Sequence, residues 1–133
     1  MANVSALLVS DLGKYVKTPA YNGQDPTFTS EKVKGDAQLK VSAGVHTLDV
    51  RLHGLVGTLR IQATLRADPS ESDWFDVRLE SPDLDNATVL TEIECLVPTS
   101  THTIYIARGN FYWLRCVVDP YTAGGIDHIR VLF

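Results

Sequence analysis

Residues 57–66 read GTLRIQATLR, and they alternate without a break. Leu59, Ile61, Ala63 and Leu65 fall on one side of an extended chain, Thr58, Arg60, Gln62, Thr64 and Arg66 on the other. At a helical period these two sets would mix around the whole circumference. At a period of two they separate into one face for a core and one for water. The stretch is a half-buried strand, and it sets the period for its surroundings.

Outward from it the alternation repeats. In VHTLDVRLHG, residues 45–54, Leu48, Val50 and Leu52 point inward while Thr47, Asp49 and Arg51 point outward. DWFDVRLE (73–80) turns Phe75, Val77 and Leu79 inward. NATVLTEIECLVP (86–98) does so with Val89, Ile93, Cys95 and Val97, although Leu90 and Leu96 blur its outer face. AQLKVS (37–42), THTIYIA (101–107), FYWLRCVV (111–118) and IDHIRVLF (126–133) complete a set of eight candidate strands. The pieces between them, such as GLVG, ADPSES and DPYTAGG, carry turn residues and are too short for crossover helices. This pattern predicts an all-β fold, an eight-stranded antiparallel jelly-roll-like β-sandwich.

Residues 1–32 are different. SALLVSDLGKYV spaces Leu8, Leu12 and Tyr15 as a short helix would, and TPAYNGQDPTFTS holds two prolines and a glycine. The expectation is an extended N-terminal arm over 1–32, lying on its own domain or on a neighbour, ahead of a sandwich over 33–133.

A chain of 133 residues with 44% hydrophobic residues can bury an ordinary single core. The formal net charge is −4 and the 12 basic residues are scattered, which argues against a nucleic-acid partner. The apolar runs are far short of a membrane-spanning helix, and no basic, then apolar export signal is visible. Cys95 and Cys116 both fall on apolar strand faces, which predicts reduced core thiols in preference to a bridge.

Little chemistry is legible. His46 and His53 have opposite strand parity, and no CxxC, HExxH or histidine pair at ligand spacing occurs, so neither a metal site nor any other cofactor is expected. Asp68, Glu71 and Asp73, with Asp83 and Asp85, are oxygen-rich loops of the kind that hold calcium. They lack the EF-hand order and read first as turn formers. No nucleophile elbow, phosphate loop or dinucleotide fingerprint is present, and carboxylates such as Asp76 and Glu80 sit on an outward face. No catalytic residue is assigned, and the expectation is a protein that is not an enzyme.

The candidate binding surface is aromatic. In residues 109–133, Phe111, Trp113 and Val117 lie on one face and Tyr112, Leu114 and Val118 on the other, so the strand is apolar on both sides. One face meets the opposite sheet; the other needs cover from the arm or from another subunit. Phe111, Trp113, Arg115, Val117 and Trp74 are the expected interface residues, since aromatics and Arg concentrate in interface cores. A glycan platform is the alternative, with Trp74, Tyr105 and Tyr121 as stacking rings and Tyr112 a further candidate.

Several spaced pieces carry a resemblance. Residues 57–65 (GTLRIQATL), Pro69 with Asp73, Trp74 and Phe75, residues 109–115 (GNFYWLR), the YTAGG of 121–125 and the IDHIRV of 126–131 together resemble small virion structural proteins of tailed bacteriophages. The resemblance spans roughly the last eighty residues and leaves out the arm. It implies a β-sandwich without an active site that assembles on a phage particle as a head-decoration, neck, tail or fibre component. Its partners would be other capsid or tail proteins and copies of itself, as a trimer or hexamer. Its place would be the virion, built in the host bacterial cytoplasm. Within the same resemblance, the glycan alternative would be a receptor-binding module of a tail.

Overall fold

The computed structural model describes residues 5–9, 26–41, 43–81 and 88–133. The expected helical spacing through Leu12 and Tyr15 and the acidic turn at Asp83 and Asp85 lie outside the described residues. In chain order the elements are β1 (Ser5–Val9), β2 (Phe28–Thr29), β3 (Val33–Lys34), one helical turn α1 (Asp36–Leu39), β4 (Val45–Thr64), a 3-10 turn (Glu71–Asp73), β5 (Phe75–Asp76), β6 (Leu79–Ser81), β7 (Thr88–Leu90), β8 (Ile93–Thr99), β9 (His102–Arg108) and β10 (Trp113–Leu132). The strands pair antiparallel in one continuous sheet, so the domain is all-β.

Two strands of 20 residues each organise the molecule. β4 and β10 run antiparallel along their whole length, from Trp113 opposite Thr64 to Leu132 opposite Thr47. A straight strand of that length would hold its ends roughly 60 Å apart at ~3.3 Å per residue. Yet His46, near the start of β4, packs its ring against Phe111 with centroids 5.3 Å apart. The next residue, Tyr112, donates its N–H to the carbonyl of Thr64 at the far end of β4, at 2.9 Å. The β4–β10 ribbon therefore doubles back on itself.

The inward faces of its two halves share one core. Leu48, Val50 and Leu52 from the first half of β4 join Leu55, Leu59, Ile61 and Ala63 from the second. The buried positions change from even to odd numbers between Leu52 and Leu55, and Gly54, at φ +65°, sits at the switch. Across from it, Gly124 has φ +71° and lies so close to the Gly54 carbonyl that a β-carbon would collide with it. β10 shifts register at the same level, with Leu114, Cys116 and Val118 buried before the bend and Ile129 and Val131 after it.

This corrects the strand list. GLVG and DPYTAGG, expected as turns between separate strands, are bends inside continuous ones, because the φ > 0 freedom that lets glycine reverse a chain also lets it kink a strand. AQLKVS is not a strand: residues 36–39 form a helical turn, held by the Asp36 carboxylate accepting the N–H groups of Val41 (2.8 Å) and Gly44 (2.6 Å). DWFDVRLE divides into β5, which pairs with the second half of β4, and β6, which pairs with β7 and β9. NATVLTEIECLVP divides likewise into β7 on β6 and β8 on β4. Each break falls where the chain passes from one half of the folded ribbon to the other. Leu65, Phe75, Val89 and Val97, expected inward, are exposed; Leu65 falls just past the end of β4 at Thr64. For Val97 the reason is a register shift between β8 and β4: between the Gly57–Cys95 and Leu55–Thr99 pairs β8 carries two more residues than β4, so residues 96–98 bulge out of the ladder and Val97 loses its inward position.

The N-terminal region is partly woven into the sheet. β1, expected within a short helix, instead pairs with the end of β10, and β2 and β3 border its first half. Cys95 and Cys116 are both free and buried, and burial pushes the Cys116 thiol up to about 12.

Candidate functional site

The outer face of the first half of β4 carries the most distinctive cluster. β9 and β10 flank this half, and Arg51 is the register partner of both His102 on β9 and His128 on β10. Asp49, two residues back on the same outward face, lies diagonally between the two histidines, within reach of long side chains. Its Oδ1 meets His102 Nε2, and its Oδ2 stands 3.2 Å from His128 Nε2. The imidazoles are nearly edge-to-face, with centroids 6.2 Å apart. Asp49 and His128 are largely shielded, with side chains 21% and 14% exposed, whereas His102 is 53% exposed. The cluster thus opens to solvent on the β9 side. Desolvation pulls the Asp49 carboxyl upward, but the hydrogen bonds and charges of His102 and His128 outweigh it and hold the group below its ordinary value.

Sequence reasoning expected no metal site, and it missed this convergence. The pairs are 53 and 79 residues apart, so no ligand spacing exists to find. The available signal was parity alone: Asp49, His102 and His128 each occupy outward positions of their strands.

The expected interface residues divide. Phe111 is not on the outer face; it is buried, tilted against His46 and edge-on to Phe75. Regular strand pairing begins only at Trp113, because the Phe111 and Tyr112 carbonyls accept from Ala37 and Gly35 instead. Trp113, Arg115 and Val117 do share the outer face of the second half, all three half-buried. Their cover comes from this chain. Trp113 donates its indole N–H to the Ala67 carbonyl at 2.9 Å, and the Lys32 ammonium lies 5.0 Å from the ring centroid. Arg115 stacks its guanidinium over Trp74 at 4.2 Å, donates to Gln62 Oε1 at 3.0 Å and pairs with Glu71 at 3.0 Å. A shallow cleft of about 300 Å³ lies between residues 29–32 and the 69–74 loop, with Trp74 and Arg115 among its walls.

The alternative glycan set does not converge. Tyr105 and Tyr121 are 8% and 3% exposed, and the Tyr121 hydroxyl donates to the Gly124 carbonyl at 3.1 Å. Neither ring offers a face for stacking, and Trp74 is already stacked by Arg115. Tyr112 is half-buried and edge-on to Trp113.

The exposed apolar surface lies elsewhere. On β8, Leu96 and Val97 are 78% and 67% exposed. β8 pairs with β4 along one edge, and among the described residues no strand pairs with its other edge. Leu65 and Phe75, at the far end of β4 and on β5, are exposed as well.

Comparison of the chain with protein-family models, curated proteins and solved structures gives no match.

Proposed function

We propose that this chain is a non-enzymatic structural subunit of a tailed-phage virion, a capsid decoration or head–tail component that assembles with copies of itself and with neighbouring virion proteins. The observation that carries this reading is the exposed pair Leu96 and Val97 on the open edge of β8. Both lie where two extra β8 residues bulge out of the β4 ladder, so water is excluded from them only when a partner meets this edge. Burying a side chain of this size contributes about 1.5–3 kcal/mol. Pro98, exposed beside them, has no N–H to give to a ladder, which limits indiscriminate strand addition while leaving the ridge available to a shaped partner.

A closed ring of three or six copies uses a head-to-tail contact, in which the β8 ridge of one copy meets a different surface of the next. Leu65 and Phe75 are exposed apolar side chains suited to that second role. In this reading the two halves of the folded ribbon are the layers of a jelly-roll-like sandwich, assembly takes place in the bacterial cytoplasm, and the free, buried thiols suit that compartment. The sequence resemblance to small virion proteins supports the same assignment.

Size-exclusion chromatography with light scattering tests it. The wild-type chain is expected to run as a discrete oligomer, and Leu96→Asp with Val97→Asp as a monomer with an unchanged far-ultraviolet circular dichroism spectrum. A wild-type monomer at every concentration, or an oligomer indifferent to the two substitutions, would remove the basis of the proposal.

A further inference from the structure

The Asp49, His102 and His128 cluster supports an inference independent of assembly: we propose that these three side chains form a binding site for a divalent transition metal of the zinc class, with a fourth position open on the His102 side. Two imidazole nitrogens and a carboxylate are the donor set that suits zinc and its neighbours. Calcium and magnesium want six or more oxygens, and a single carboxylate supplies two. The spacing is also right. Metal–ligand distances of about 2.0–2.2 Å place the donors of a tetrahedral site roughly 3.3 Å apart. Here the Asp49 and His128 donors are 3.2 Å apart, and one donor atom from each residue lies within 4.8 Å of the other two.

The backbone does the positioning. All three residues stand on neighbouring strands of a continuous ladder, with both histidines opposite Arg51, so the donors are brought together without ordering a loop. Arg51 itself is drawn toward Asp127, 4.0 Å from its carboxylate, which leaves Asp49 to the two imidazoles. A bound ion would tie β9, β4 and β10 across their outer face. The exposure of His102 leaves room for water, or a donor from another molecule, at the fourth position.

Isothermal titration of zinc chloride into the chelator-treated full chain at pH 7.5 tests the site, with thermal melting of the same samples. The expected result is saturable binding of one ion per chain and a rise in melting temperature. Asp49→Asn and His102→Ala should each weaken binding at least about tenfold and abolish the thermal shift, while His53→Ala, at an exposed histidine outside the cluster, changes neither. His102 is a surface residue, so its variant keeps the fold and the comparison holds even if Asp49→Asn is unstable. Zinc binding that persists unchanged in both variants, no saturable heat up to millimolar zinc, or calcium chloride binding as tightly as zinc would each overturn the proposal.

Discussion

His46 shows how much one side chain decides in this molecule. Its ring is fully buried, Nε2 accepts the Asp36 N–H at 3.0 Å, and Nδ1 lies 3.3 Å from the Ala107 carbonyl. An acceptor at Nε2 and a donor at Nδ1 define the neutral tautomer. Burial lowers its pKa, against smaller opposing effects of the Ala107 carbonyl and the Asp36 charge. The folded chain therefore holds fewer protons on this group than the unfolded chain. The stability it contributes is fully present above the unfolded value of about 6.5 and is lost as pH falls from there through the lower folded value, with a slope of at most ~1.4 kcal/mol per pH unit. Urea melts between pH 8 and pH 5 should show this loss, and His46→Gln, which does not titrate, should flatten that part of the profile. An identical pH profile in the variant would show that the ring is not held neutral. Alternation assigned His46 an inward or outward side only through its neighbours; its role as the anchor of the 36–44 segment depends on contacts with Ala107 and Phe111, far away in sequence.

At the scale of elements, the bent ribbon is the decisive feature. Gly54 and Gly124 face each other at the bend, both at positive φ, with Gly124 against the Gly54 carbonyl. Gly124→Ala adds a collision to a backbone conformation that side chains disfavour, and should cost about 1–3 kcal/mol. A urea midpoint equal to wild type would mean the ribbon bends without that close approach. The strands themselves were legible: Leu59, Ile61 and Ala63 on one face, and Leu48, Val50 and Leu52 on another, are all buried. Their continuity was not. Glycine and proline mark turns and strand bends alike, so HGLVG and DPYTAGG read as reversals until the pairing of Gly57 with Tyr121 and of His53 with Gly125 is seen. Convergence of Asp49, His102 and His128 was hidden for a related reason. Parity gives the side of a strand on which a residue lies, but not which strands are neighbours.

For the whole molecule, the sheet buries its inner faces against one another and satisfies its own polar interior. Among the described residues every buried side-chain nitrogen and oxygen has a hydrogen-bond partner. The outer aromatic face, read from sequence as needing cover from the N-terminal arm or from another subunit, is covered in part by Lys32 of that arm and by the chain's own Ala67, Glu71 and Trp74. Among the described residues, the two most exposed large apolar side chains, Leu96 and Val97, lie on the unpaired edge of β8, and the central functional claim rests there. Hydrogen–deuterium exchange read by mass spectrometry on peptides spanning residues 93–99, at dilute and at concentrated protein, tests it most directly. The account predicts that exchange in this segment slows as concentration rises and copies associate, while peptides from the buried ribbon stay unchanged. Exchange in 93–99 that is independent of concentration, in a sample that light scattering shows to be oligomeric, would contradict it.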